Sequence, residues 1–235
     1  MTAPDGLDAI EEALRRRFRV AASDIRLGTR VLSILHPESA EELIDERDFE
    51  RDERLPYWAD LWPSARVLAE DVLSLRGDGR SLLELGCGCG LVATCASIAG
   101  FDVVASDYYE DALRFARLNA QRNGAPPLRV LLLDWRHLPS DLDRFEVVLA
   151  SDVLYERTYG PLMAKVLAQT LAKSGVAIVA DPGRVGREEF LQCLETNGLT
   201  LSRRMEWPFV DGDIRQTITL LEITHSALKS KTRQA

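Results

Sequence analysis

From residue 81 to residue 198 the chain alternates short apolar runs with amphipathic stretches. The first run closes on a glycine loop and the next three close on aspartates. Runs at 82–85, 101–106, 128–133, 145–151 and 176–180 read as strands. The stretches 91–99, 111–122, 162–172 and 187–197 read as helices, with Gly100, Asn123-Gly124 and Gly198 as stops. Repeated βα units with right-handed crossovers give a parallel sheet covered by helices on both faces. The end of the chain differs. Residues 200–207 and 214–223 read as two strands joined by Val210-Asp-Gly-Asp213 with no helix between them, so at least one of them runs antiparallel.

The first 55 residues follow another pattern. Ile10, Leu14 and Phe18 recur every four residues, the stripe of a short helix, and residues 29–35 read as a strand ending at His36-Pro37. Residues 56–75 read as one helix with Leu61, Ala65, Leu68 and Val72 on one side. Three regions follow: an extension at 1–55 expected to cap the substrate side, a main domain at 56–224, and a basic, disordered tail at 225–235 with Lys229, Lys231 and Arg233.

Composition narrows the class. A chain of 235 residues with 46% hydrophobic residues can bury a core without disulfides or metals. No apolar run is long enough to span a membrane, and the N-terminus lacks the pattern of a signal peptide. Cys87, Cys89 and Cys95 lie too close together for a disulfide framework. No histidine is near a cysteine pair, so no metal site is expected and the reducing cytosol is the expected compartment. Residues 41–54 hold eight acids and three arginines, a net −5 out of −8 for the whole chain. The run reads as a solvated face or, more specifically, as a flap attracting a cationic substrate. An acidic chain is repelled by phosphate backbones, so nucleic acid is not expected as a partner.

The chemistry concentrates where the strands end. Glu84-Leu-Gly-Cys-Gly-Cys-Gly90 brings a flexible backbone to the first strand's carboxyl edge, where ligands of open α/β sheets bind. The spacing is G-x-G-x-G, and Leu91 occupies the third glycine position of a dinucleotide fingerprint, which disfavours a nicotinamide-dependent oxidoreductase. No Gly-Lys-Ser/Thr follows, which excludes a phosphate loop. Asp107 ends the second strand, 21 residues after Gly86, where a carboxylate accepts both hydroxyls of a ribose.

Glu84-Leu-Gly-x-Gly-x-Gly with Asp107 resembles the class I S-adenosylmethionine-dependent methyltransferases, whose Rossmann-like sheet ends in an antiparallel seventh strand. Pro56-Tyr-Trp-Ala-Asp-Leu-Trp-Pro63, Asp134-Trp135 and Asp152-Val-Leu-Tyr155 narrow the resemblance to the family 16 type of protein lysine methyltransferases. The closest branch includes the enzymes acting on the electron-transfer flavoprotein β subunit, with bacterial nicotinamide N-methyltransferase-like proteins also similar. The resemblance implies S-adenosylmethionine as cofactor. Gly86 and Gly88 would lie under its methionine part, Asp107 would hold the ribose, Asp134 and Trp135 the adenine, and Trp62 would act as a lid. Glu84, Cys87, Tyr108 and Ser151 complete the implied cofactor set, with Asp152 and Tyr155 at the catalytic position.

Amino-methylating enzymes of nucleic acid place Asn/Asp-Pro-Pro-Tyr at that point. Both prolines are absent here, so Asp152 suits a cationic or amine acceptor that its carboxylate could position, desolvate and relieve of a proton. The acceptor expected is a protein lysine. A small amine is the alternative, as is a cofactor-binding protein without transfer activity. Structural roles remain open for several of these residues. Trp58 and Trp62 stand one helical turn apart, so one of them is expected to pack in the core. Cys87 and Cys89 suit small fillers of a tight loop, and Tyr155 can anchor a strand end.

Overall fold

The computed structural model describes residues 7–40, 43 and 56–226. The acidic run from Ile44 onward and the tail from residue 227 lie outside the described residues; His225, expected to open the tail, instead ends the last strand. An N-terminal helix α1 (Leu7–Arg17) leads into an antiparallel hairpin of β1 (Val20–Leu27) and β2 (Arg30–Pro37). After a 3₁₀ turn at Tyr57–Ala59 come α2 (Pro63–Leu73), β3 (Ser81–Leu85), α3 (Leu91–Ile98), β4 (Asp102–Asp107), α4 (Glu110–Arg122) and β5 (Arg129–Leu132). The chain continues through β6 (Phe145–Ser151), α5 (Tyr159–Thr170), β7 (Leu171–Asp181), α6 (Arg187–Cys193), a 3₁₀ turn at Glu195–Asn197, β8 (Leu199–Asp211) and β9 (Ile214–His225).

Strands β3 to β9 form one seven-stranded sheet in the order β5-β4-β3-β6-β7-β9-β8. Pairs among β3 to β7 are parallel, and β9 is antiparallel to both β7 and β8. This is the expected mostly parallel sheet with a terminal hairpin. Apolar side chains cover both faces. Leu68 and Val72 of α2, Val92 and Cys95 of α3 and Phe115 and Leu118 of α4 pack on one side. Met163, Val166 and Phe190 of α5 and α6 pack on the other.

Three further expectations are corrected. Strand β1 was not anticipated, because Ser23, Asp24 and Arg26 interrupt its apolar pattern and its partner β2 holds it in register. Residues 56–75 do not form one helix. Pro63 stands at the start of α2 and forces Trp62 into an extended conformation (φ −65°, ψ 144°), since a residue before proline avoids helical geometry. Trp58 and Trp62 therefore do not share a helix. Third, β7 begins at Leu171, directly after α5, and is longer than the apolar run suggests.

The N-terminal elements are built into the main core. Leu14, Ile25, Leu27, Leu32, Ile34 and Leu35 are buried with the sheet residues Leu82, Val103 and Val147. Two asparagines of α4 fasten β2 there. Asn119 accepts from the backbone N–H of Leu35 and donates to its carbonyl, both at 2.8 Å, and Asn123 does the same for Ser33 at 3.0 and 2.9 Å. Each amide imitates a neighbouring strand, satisfying backbone groups that would otherwise be buried unpaired.

Candidate functional site

Strand order reverses at β3: the chain moves outward through β4 and β5, then returns to β3's other side with β6. The carboxyl ends of these strands open into one cavity, where ligands of such sheets bind. It encloses about 940 Å³ of free space, the open solvent at its mouth included. All five tyrosines of the chain and three of its four tryptophans line it. Tyr57, Tyr155, Tyr159 and Trp135 stand in series, with successive ring centroids 5.0, 4.8 and 5.9 Å apart.

The floor is the loop after β3. Asp107 draws it against β4: one carboxylate oxygen accepts the Gly88 N–H at 2.9 Å and the other the Tyr109 N–H at 3.0 Å. Gly88 has φ +51°, and a Cβ there would lie 2.9 Å from the Trp58 carbonyl oxygen. The position thus requires glycine both for its conformation and for the close approach. Glu84 is fully buried. Burial, reinforced by the nearby Asp107 charge and opposed by a hydrogen bond from the Ala93 backbone, pushes its carboxyl well above the usual range. Burial likewise raises the Cys87 and Cys89 thiols, again with Asp107 adding, so neither is a reactive thiolate.

The other side is formed by residues after β6. Ser151 ends the strand, and Asp152 follows in a left-handed conformation (φ 58°) that non-glycine residues seldom adopt. Its carboxylate is engaged at both oxygens. Ser64 Oγ, from the first turn of α2, donates to Oδ2 at 3.0 Å, and Arg184 Nε, from the loop after β7, donates to Oδ1 at 2.5 Å. The Arg184 guanidinium carbon lies 5.1 Å from the Trp62 ring centroid, and Trp62 Nε1 donates to the Tyr57 carbonyl at 2.8 Å.

A sequence model described as lysine methyltransferase matches residues 51–197. The chain belongs to this family. Among curated relatives, the electron transfer flavoprotein beta subunit lysine methyltransferase of Danio rerio is 30% identical over 138 residues, covering 57% of this chain and 53% of that protein. The histone-arginine methyltransferase METTL23 of Homo sapiens is 36% identical over 103 residues, covering 41% and 54%. The chain spans about half the length of the curated relatives it matches. Among solved structures, magnesium protoporphyrin IX methyltransferase from Synechocystis with bound SAM aligns with a TM-score of 0.56 at 20% identity, covering 79% of this chain and 94% of that one. The last likeness establishes a shared fold.

The family motifs meet in space. Trp62, Glu84, Gly86, Cys87, Gly88, Asp107, Tyr108, Trp135, Ser151, Asp152 and Tyr155 all line the cavity. Asp134 does not. It turns to the Arg136 side chain (2.9 Å) and to His137 (3.3 Å). Burial works against its charge, yet these hydrogen bonds prevail and hold its carboxyl well below the usual range. Trp58 also lines the cavity while packing edge-on against Phe18 and tilted against Phe115, so it is both wall and core.

Sequence reasoning missed Ser64, Tyr57, Tyr159 and Arg184. A signal existed for Arg184, because Asp181-Pro-Gly-Arg184 lies at a strand's carboxyl end like the other acidic loops. Tyr57 had a signal in the Pro56–Pro63 motif, although it was given no role there. Ser64 and Tyr159 carried none, since only the docking of α2 and α5 turns them inward.

Proposed function

We propose that this chain is an S-adenosylmethionine-dependent N-methyltransferase whose acceptor is a lysine side chain of a protein. The observation that carries the reading is the convergence of the glycine loop, Asp107, and the Asp152…Tyr155 segment on one aromatic cavity. Membership of the lysine methyltransferase family supports the acceptor class. All four cysteines are free, which suits work in the reducing cytosol.

The residues present fit the cofactor. Trp135 Nε1 and Glu84 Oε2 are buried polar atoms without a partner, both on cavity-lining residues, and a Cβ at Gly86 would sit 3.2 Å from the Trp135 ring. Trp135 would cover the adenine. Asp107 would hold the ribose; a carboxylate accepts up to about four hydrogen bonds, so anchoring the loop and binding hydroxyls are compatible. Gly86 and Gly88 would let the methionine part approach the backbone. The cofactor, when bound, supplies an electrophilic methyl group on a sulfonium.

An acceptor that enters as an ammonium has to give up one proton, which Asp152 would accept and pass to solvent. The chain's own residues then align the neutral amine and keep bulk water from the methyl. Aromatic faces attract a cationic group without a fixed counter-charge, so the walls favour both the sulfonium and an entering ammonium. Asp152 and Ser64 orient the acceptor end, and Tyr155 stacks beside it. The test is incubation of the protein with methyl-labelled S-adenosylmethionine and a lysate of its host. Label in a discrete protein band, on a lysine by mass spectrometry, is expected. Label confined to small molecules would overturn the protein-acceptor reading.

A further inference from the structure

An aromatic face beside a buried carboxylate is a site for a cation. Trp62 and Asp152 make such a site at the cavity wall, and Arg184 covers it from a different loop. We propose that Arg184 is a place-holder: in the free protein its guanidinium occupies the position of the acceptor's ammonium, and the acceptor enters by displacing it. This rests on the cationic-acceptor reading above.

The geometry decides which partner of Asp152 gives way. Arg184 holds Oδ1 and also lies over the Trp62 ring, so an ammonium that takes both the carboxylate and the aromatic face has to replace Arg184, whereas Ser64 touches the carboxylate alone. Ser64 is fully buried and held on the first turn of α2. The Arg184 side chain is 33% exposed, against 4% for Asp152, and solvent can receive its charge. Its backbone need not move. Asp181, fully buried at the end of β7, accepts the N–H groups of Gly183 at 2.8 Å and Arg184 at 3.2 Å, and it also pairs with Arg187 at 3.4 Å. The loop is thereby pinned, and displacement reduces to rotation about the side-chain bonds of Arg184.

The arrangement also has an energetic rationale. A buried carboxylate left without its counter-charge is costly, so an open acceptor site built on Asp152 needs a stand-in cation whenever substrate is absent. An internal arginine supplies one. It also raises the threshold for entry: only a cation that recovers both the carboxylate and the Trp62 face can replace it. Neutral amines and amides gain nothing from the exchange. Arg184 thus sets specificity for cationic acceptors without touching the transferred methyl.

The experiment is a calorimetric titration of n-butylammonium chloride, a lysine side-chain mimic, into the protein saturated with S-adenosylhomocysteine, at matched chloride. With the stand-in removed, Arg184→Met is expected to bind the probe at least about tenfold more tightly than the wild type. Adding Asp152→Asn to that variant is expected to abolish the gain. Arg184→Lys keeps the charge should Arg184→Met fail to fold. Its ammonium lacks the planar fork of a guanidinium, so its affinity for the probe is expected to lie between the two. Equal or weaker probe binding in both Arg184 variants overturns the proposal, as does a gain that survives Asp152→Asn. Binding of S-adenosylhomocysteine, measured first in the same cell, reports on the methyltransferase reading alone, and its absence overturns both.

Discussion

The Asn119 side-chain amide donates to the Cys89 carbonyl at 2.8 Å while also pairing with both backbone groups of Leu35. One fully buried side chain on α4 therefore joins the N-terminal hairpin to the loop that floors the cavity. Replacing it by leucine, similar in size, leaves three buried backbone groups without partners. The expected loss is about 3 kcal/mol or more, which for a chain of this size lowers Tm by about 6–12 °C. Thermal unfolding followed by circular dichroism checks this, and affinity for S-adenosylhomocysteine is expected to fall with it. A drop of one or two degrees would mean that water or a shifted strand satisfies those groups.

Gly90 caps α3 with φ +83°, and a Cβ there would lie 2.5 Å from Ala116 Cα on α4. An alanine would combine left-handed strain of about 1–2 kcal/mol with overpacking of about 1–3 kcal/mol. Gly90→Ala is expected to cost about 3 kcal/mol in urea unfolding. A cost below about 1 kcal/mol would mean that α4 yields to the new methyl, and that the helix–loop contact is looser than its geometry implies.

Glu84 makes stability depend on pH. An unfolded glutamate loses its proton near pH 4.3, whereas burial lets folded Glu84 keep its own to higher pH. The stabilisation from the neutral form is complete below the unfolded value. It is lost as pH rises toward the folded one, at up to ~1.4 kcal/mol per pH unit. Glu84→Gln removes this slope. Urea midpoints of the ligand-free protein at pH 5 and pH 7 are expected to fall less for the variant than for the wild type. Parallel curves would show that Glu84 ionises normally in the fold.

Asp107 both anchors the Gly88 and Tyr109 N–H groups and is proposed to hold the ribose. Asp107→Ala removes two charge-assisted bonds to a hydroxylated ligand, and S-adenosylhomocysteine affinity is expected to fall at least about 100-fold. Adenine alone, which lacks the ribose, serves as the control and is expected to lose much less. Equal losses for both ligands would mean that Asp107 acts only by shaping the loop.

What could be read along the chain were the features whose cause is local. The glycine spacing, the acids closing successive strands and the helix-free terminal hairpin each depend on neighbours within a few residues. They sufficed for the sheet and its antiparallel end; the site residues came from the family resemblance, and eleven of the twelve it implied line the cavity. The break before α2 was also local, written in Trp62-Pro63. The exception among the site residues, Asp134, was decided by which neighbour its carboxylate turned to, and Arg136 won.

Tertiary structure decided the rest. Asp152 meets Ser64 across 88 residues of sequence and Arg184 across 32, while Asn119 meets Leu35 across 84. Such pairs leave no periodicity, because neither partner's position on its own element depends on the other. Strand β1 exists because β2 and α4 are already in place to satisfy its hairpin. A sequence specifies which groups a site can contain through short-range geometry. Which of them touch, and hence whether a carboxylate faces a substrate or an internal arginine, is settled only when helices dock and bury what they carry.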